Sequence, residues 1–197
     1  MPRKNLSSEK RHEFLPIIAR AFAELSYRRT TTAELARRCK VRENILYRLW
    51  PDKKAMFIAA IDYVFDLSAR TWGEVLADCP SAAEGARRLL DYEARHHGEF
   101  GHYRIVFAGL SETDDPEIRA ALRRMFGRFH RFLANQIETS RGRKASKSAT
   151  EPAMIAWAML GLGTAANISR ELGLLTDAQR RRLIGQTGKL MLDHSAA

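Results

Sequence analysis

Cysteine is almost absent from these 197 residues: Cys39 and Cys79 are the two present, and their spacing matches no metal-ligand pattern. A disulfide framework is excluded, and two such thiols suit a reducing compartment as small apolar core residues. Long apolar runs are missing as well, since no stretch approaches the roughly 20 residues a membrane span needs. The opening MPRKNLSSEKRHEF is basic and polar with no apolar segment behind it. No secretory signal is expected, and the expectation is a cytoplasmic protein without a membrane partner. No segment alternates convincingly with period two, so strands are not expected. Gly-rich phosphate loops, Ser-His-Asp sets and Cys-His pairs are lacking too. What remains is an all-α chain long enough to bury a core without cross-links or structural metal. No enzyme, cofactor or metal site is expected.

Charge is plentiful and unevenly placed. The formal net charge is +10, and residues 1–54 hold 14 Lys and Arg against 6 Asp and Glu, whereas residues 55–197 hold 19 against 17. Positive charge concentrated in one segment is the footprint of a unit that neutralises phosphates. A basic surface that merely keeps the chain soluble, or that meets anionic lipid, carries the same signal.

Apolar spacing then sets the helices. Phe14, Ile17, Ile18, Ala21, Phe22 and Leu25 form one stripe over Arg11–Leu25. Pro16 is expected in or near the first turn, where a missing N–H is tolerated, or as a kink at the start of the helix. Thr31-Thr32-Ala33-Glu34 reads as a capping box that opens a helix to about Arg38. A turn at Cys39–Val41 and a second short helix to about Leu49 follow. Pro51 ends that helix, and Asp52 caps a long one from Lys53. Further helices are expected at about 53–70, 81–98, 101–112, 115–139, 151–172 and 176–194, about nine in total. The polar, basic stretch 141–150 is expected to be a loop. The division expected is a tri-helical helix-turn-helix unit, 1–54, followed by a larger helical bundle, 55–197.

Two short helices on a three-residue turn form a helix-turn-helix, whose second helix enters the major groove. Leu35, Ala36, Val41, Leu46, Leu49 and Trp50 are spaced to bury one face of the pair, with Ala36 small where the helices cross. Arg42, Glu43, Asn44, Ile45, Tyr47 and Arg48 remain for base edges and phosphates. Ile45 suits a thymine methyl or is a stray surface residue, and Arg28 and Arg29 reach the DNA backbone or are ordinary loop arginines.

With Tyr27, Thr31, Ala36, Val41, Leu46-Tyr47, Trp50 and Lys53 in register, the segment resembles the TetR family of regulators over roughly residues 14–57. The family usually has Gly at the positions of Ser26 and Lys40, Ser at that of Arg42, and a small residue at that of Asn44. Lys40 is expected in a left-handed conformation, and Arg42 deprives the recognition helix of a capping hydroxyl. The resemblance implies that Tyr47 and Lys53 contact phosphate, the positive start of the Lys53 helix assisting. Thr31 and Thr32 join the expected DNA surface. It further implies a ligand-responsive regulator, a repressor more than an activator, acting as a homodimer on a palindromic double-stranded operator. A small-molecule effector in the bundle would shift two recognition helices out of successive grooves, about 34–36 Å apart.

Pocket candidates in the bundle, as the resemblance implies, are Phe65, Trp72, Tyr103, Phe107, Met125, Phe129 and Trp157, although an apolar stripe at helical spacing is more often plain core. Ala153, Trp157, Gly161 and Ala165 recur at four-residue steps on one Ala/Gly-rich face. The resemblance makes that face a dimer surface, and packing within the bundle is the alternative. The enzyme alternative rests on Glu93, His96, His97 and His102. Glu93 and His96 form half of a di-iron Glu-x-x-His pattern, but no second copy exists in the chain.

Overall fold

The first helix begins well before its apolar stripe. In the computed structural model, which describes residues 6–141 and 150–193, α1 runs Leu6–Arg29. Pro16 therefore lies inside this helix rather than in its first turn. The stripe from Phe14 marks only where α1 starts to be buried, because Ser8–Glu13 is a polar, exposed extension. Residues 142–149 of the expected loop fall outside the described residues.

Among the described residues there are nine helices and no strand. After α1 come α2 (Thr32–Arg38), α3 (Glu43–Leu49), α4 (Lys53–Leu76), α5 (Ala82–His96) and α6 (Tyr103–Leu110). The last three are α7 (Pro116–Arg141), α8 (Pro152–Glu171) and α9 (Asp177–Asp193). No described helix is long and apolar enough to cross a membrane.

Contacts divide the chain into two compact units. The first holds the described residues up to Leu67 together with Phe100–Met125. Here α1 packs against α2, α3 and α6. Ile18, Ala19, Ala21 and Phe22 are all fully buried, a face too wide for two seven-residue helices to cover. Helix α6 supplies the remainder through Ile105 and Ala108, and Gly109 lets Leu122 and Ile61 approach. Packing thus joins residues 55–67 and 100–125 to the motif-bearing segment in one compact unit. Phe22, Tyr27 and Phe57 form its aromatic centre, with Phe57 4.9 Å from Phe22 and 4.8 Å from Tyr27 between ring centroids.

The second unit holds Ser68–Glu99 and the described residues from Phe126 onward. Helix α9 packs on both α5 and α8, and Gly188 lies so close to Leu90 that a β-carbon has no room there. Trp72 stacks on Phe132 at 4.7 Å and meets the edge of Phe129 at 5.5 Å. Ile137, Ile155 and Ala156 form a further core packed by Leu133, Met159 and Met191. Ser81 caps α5 by accepting from the Glu84 amide at 3.2 Å.

Candidate nucleic-acid interface

Local chemistry opens α2 as the sequence implies, but only by half. The Thr31 hydroxyl oxygen accepts from the Glu34 amide at 3.2 Å. The Glu34 carboxylate does not return to Thr31; it accepts from Arg37 at 2.8 Å and from Arg38 at 2.7 Å. Two guanidinium partners outcompete one neutral backbone N–H. The bond from Arg37, followed by that from Arg38, holds the Glu34 carboxyl down at about 2. Arg38 also reaches Glu24 at 2.6 Å, which ties α2 back to α1.

The turn and α3 follow the sequence closely. Lys40 is left-handed, with φ 56°, and Val41 N–H closes the end of α2 on the Ala36 carbonyl at 3.0 Å. Arg42 is the N-cap of α3 and gives no side-chain capping bond. Leu35, Ala36, Leu46, Leu49 and Trp50 are buried, and Val41 is half-buried. Opposite them Arg42, Glu43, Asn44, Tyr47 and Arg48 are exposed, with Ile45 half-buried.

Two of these side chains are joined through Thr32 of α2. The Tyr47 hydroxyl donates to Thr32 Oγ1 at 3.1 Å, and the Thr32 hydroxyl donates to Glu43 Oε2 at 2.7 Å. Tyr47 is 47% exposed, so it is a surface residue and not core. At the far end of α3, Arg11 Nε donates to the Leu49 carbonyl at 2.8 Å, where a cation complements the helix dipole. Nothing in the local pattern points to Arg11, because its partner lies 38 residues away on another helix.

The arginine and lysine candidates are more occupied than their sequence suggests. Lys53 Nζ donates to the carbonyls of Tyr27 at 3.1 Å and Thr30 at 3.2 Å, and sits 4.4 Å from the Tyr27 ring centroid. Arg28 Nε pairs with Glu112 at 2.7 Å. Lys54 pairs with Glu117 at 2.8 Å and Asp115 at 3.2 Å. Arg29 and Thr31 are exposed, and Thr32 is half-buried.

The bundle candidates divide between the two units. Phe65 and Met125 are buried in the first, where Tyr103 and Phe107 meet at 5.7 Å. Trp72 and Phe129 are together in the second. Trp157 is 50% exposed, with its ring 4.8 Å from His130. Gly161 and Ala165 are exposed with it and Ala153 is half-buried. A β-carbon on Gly161 would meet nothing within 4 Å. Met154, Ile168 and Leu172 add exposed apolar surface to α8 and its end. Glu93 accepts from Trp72 Nε1 at 2.6 Å and from His97 Nδ1 at 2.7 Å, while His96 pairs with Glu99 at 2.7 Å. His102 belongs to the other unit. Among the described residues no three His, Cys, Asp or Glu side chains group to hold a metal.

Comparison with known proteins agrees with this geometry. Residues 18–60 match the sequence model of the bacterial regulatory proteins of the tetR family. The HTH-type transcriptional regulator YuxN of Bacillus subtilis (strain 168) is 25% identical over 115 residues, 55% of this chain. The match spans only 38% of the length of that relative. A candidate TetR-family regulator from Rhodococcus sp. superposes with a TM-score of 0.76 at 22% identity, covering 93% of this chain and 99% of its own. A candidate transcriptional regulator from Saccharomonospora viridis, solved in complex with choline, gives 0.76 at 18% identity over 92% and 96%. These two likenesses carry the fold. Residues 18–60 thus carry the sequence pattern of the tetR-family regulatory proteins, and the nine described helices share the fold of the solved TetR-family regulators.

Proposed function

We propose that this protein is a ligand-responsive transcriptional repressor that binds a palindromic operator as a homodimer. The observation that carries the reading is the two-sided α3: Leu46 and Leu49 anchor it, and Arg42, Glu43, Asn44, Tyr47 and Arg48 stand exposed on the other side. A short helix held on one face and polar on the other suits the major groove. Asn44 near the start of α3 is placed for bidentate pairing with adenine, and Tyr47, Arg42, Arg48 and Arg29 for phosphate. Thr31, Thr32, Arg28 and Lys53 complete the DNA surface, Lys53 with the one N–H its two carbonyl partners leave over. The face of Ala153, Trp157, Gly161 and Ala165 is the dimer surface; exposed Met154 and Ile168 on α8 support that use. An effector enters the aromatic region of the bundle, where Trp72 and Phe129 lie.

Selection of duplexes from a random pool with the full chain tests this. A two-fold symmetric site with half-sites one helical turn apart is the expected product. Enrichment of no sequence above background, with the chain folded, overturns the reading. Light scattering tests the assembly, with Ala165→Arg expected to give monomers; monomers of the unaltered chain at micromolar concentration refute the dimer.

A further inference from the structure

Within the second unit, α5, α8 and α9 line an open cavity of about 100 Å³ whose wall holds four arginines, Arg95, Arg170, Arg180 and Arg181, beside His97. Two carboxylates share that wall, Glu99 and Asp177, and both are engaged. Glu99 pairs with His96 at 2.7 Å, and Asp177 pairs with Arg180. Among the described residues no carboxylate pairs with Arg95, Arg170 or Arg181.

Arg170 makes the imbalance costly. One of its terminal nitrogens donates to the His97 carbonyl at 3.1 Å, while its Nε is buried without a hydrogen-bond partner. A buried guanidinium donor left unmade forfeits its hydration with nothing in return. Arg170 lines the cavity, and a planar oxyanion suits a guanidinium there, because two parallel N–H bonds match a carboxylate or a phosphate edge. Ala94, Ala166 and Ile184 give the cavity an apolar side, which lowers the local polarity around Arg170 and strengthens the pairing.

We propose that this cavity binds a small oxyanion, the carboxylate or phosphate group of a metabolite, with Arg170 as the inner ligand and Arg181 at the rim. The site is distinct from the aromatic region around Trp72, and it does not depend on the DNA reading above. Its ligand bridges α9 to α5 and α8, so binding stiffens the end of the bundle that carries the exposed apolar face.

Thermal unfolding of the full chain tests the site with inorganic phosphate, acetate and chloride at matched ionic strength. Phosphate stabilises many proteins by exclusion from their surfaces, so the reading is the difference between wild type and variants. Arg170→Gln also removes the bond to His97, whereas Arg181→Gln alters only an exposed rim residue and leaves the packing intact. The expected result is a saturable rise in wild-type Tm, about 3–6 °C at tenfold excess over Kd, reduced in Arg181→Gln and lost in Arg170→Gln. A response to acetate alone identifies a carboxylate site, and a response to phosphate alone a phosphate site. If neither anion exceeds chloride, or if both variants respond as wild type does, the proposal is wrong.

Discussion

Lys53 holds its ammonium 4.4 Å from the ring centroid of Tyr27 while donating a hydrogen bond to the carbonyl of the same residue at 3.1 Å. With its second bond to the Thr30 carbonyl, one side chain thereby fixes the start of α4 to the end of α1 and the connection that follows it. The two residues recur in the family pattern, and here they form a single contact. Lys53 thus has an architectural role that the expectation of a phosphate contact alone did not include.

Replacing Lys53 by Met leaves the carbonyls of Tyr27 and Thr30 without this donor. A loss of about 1–3 kcal/mol is expected, lowering Tm by roughly 2–4 °C per kcal/mol for a chain of this size. DNA affinity falls alike on selected and scrambled duplexes, and Lys53→Arg recovers part of both. Calorimetry with a salt titration of binding checks this; an unchanged Tm shows the two bonds to be idle.

Ser26 adopts φ 64° and ψ 170°, a region that in practice belongs to glycine. Ser26→Gly is expected to raise stability by about 1 kcal/mol. Lys40, at φ 56°, is in the milder left-handed region, so Lys40→Gly gains less, roughly 0.5 kcal/mol. Thermal melts of the two variants measure the order; Lys40→Gly gaining more than Ser26→Gly contradicts it.

The chain from Tyr47 through Thr32 to Glu43 predicts separable effects. Tyr47→Phe removes one exposed donor, so Tm stays nearly constant while DNA binding weakens by about 1 kcal/mol. Glu43→Gln keeps an acceptor for Thr32 but removes a negative charge, so binding to unrelated DNA tightens. Its selected sites lose preference at one position per half-site, because a carboxylate accepts from the cytosine amino group. Asn44→Ala costs roughly 1–3 kcal/mol on the selected site and much less elsewhere. Site selection repeated with each variant decides; identical preferences for Glu43→Gln and wild type refute the assignment.

Acid exposes the Glu34 cluster. Its carboxyl is depressed from 4.5 to about 2, first by Arg37 and then by Arg38. A depressed carboxylate contributes stability that is present above its unfolded value and lost as pH falls through its folded value. The Tm difference between wild type and Glu34→Gln is therefore expected to be constant above pH 5 and to shrink from about pH 4.5 toward pH 2. A difference independent of pH across that interval excludes the ion cluster as its origin.

The motif was legible because it depends on local rules. The burial of Leu35, Ala36, Leu46 and Leu49, the left-handed Lys40 and the uncapped start of α3 all follow from residues within a few positions. Partners chosen by tertiary proximity were not. Arg11 on Leu49, Lys53 on Tyr27 and Arg28 on Glu112 join residues 38, 26 and 84 positions apart. Periodicity carries no information about such pairs. The start of α1 was missed for another reason: Ser8–Glu13 has no apolar face to reveal a helix.

The pairing of Arg28 with Glu112 and of Lys54 with Asp115 and Glu117 means that the acidic segment leading into the first turn of α7 acts as a built-in counterion. A phosphate arriving at Arg28 exchanges one anion for another, whereas at a solvated arginine it liberates condensed salt from the DNA with no such exchange. The field around the first unit is accordingly weaker than a tally of residues 1–54 implies. The Arg28 pair is exposed, with 78% of the arginine side chain accessible, so moderate salt loosens it. Added salt then weakens the internal competitor together with the external ligand, so if Arg28 belongs to the proposed DNA surface, the ionic-strength dependence of DNA binding is expected to undercount the cations there.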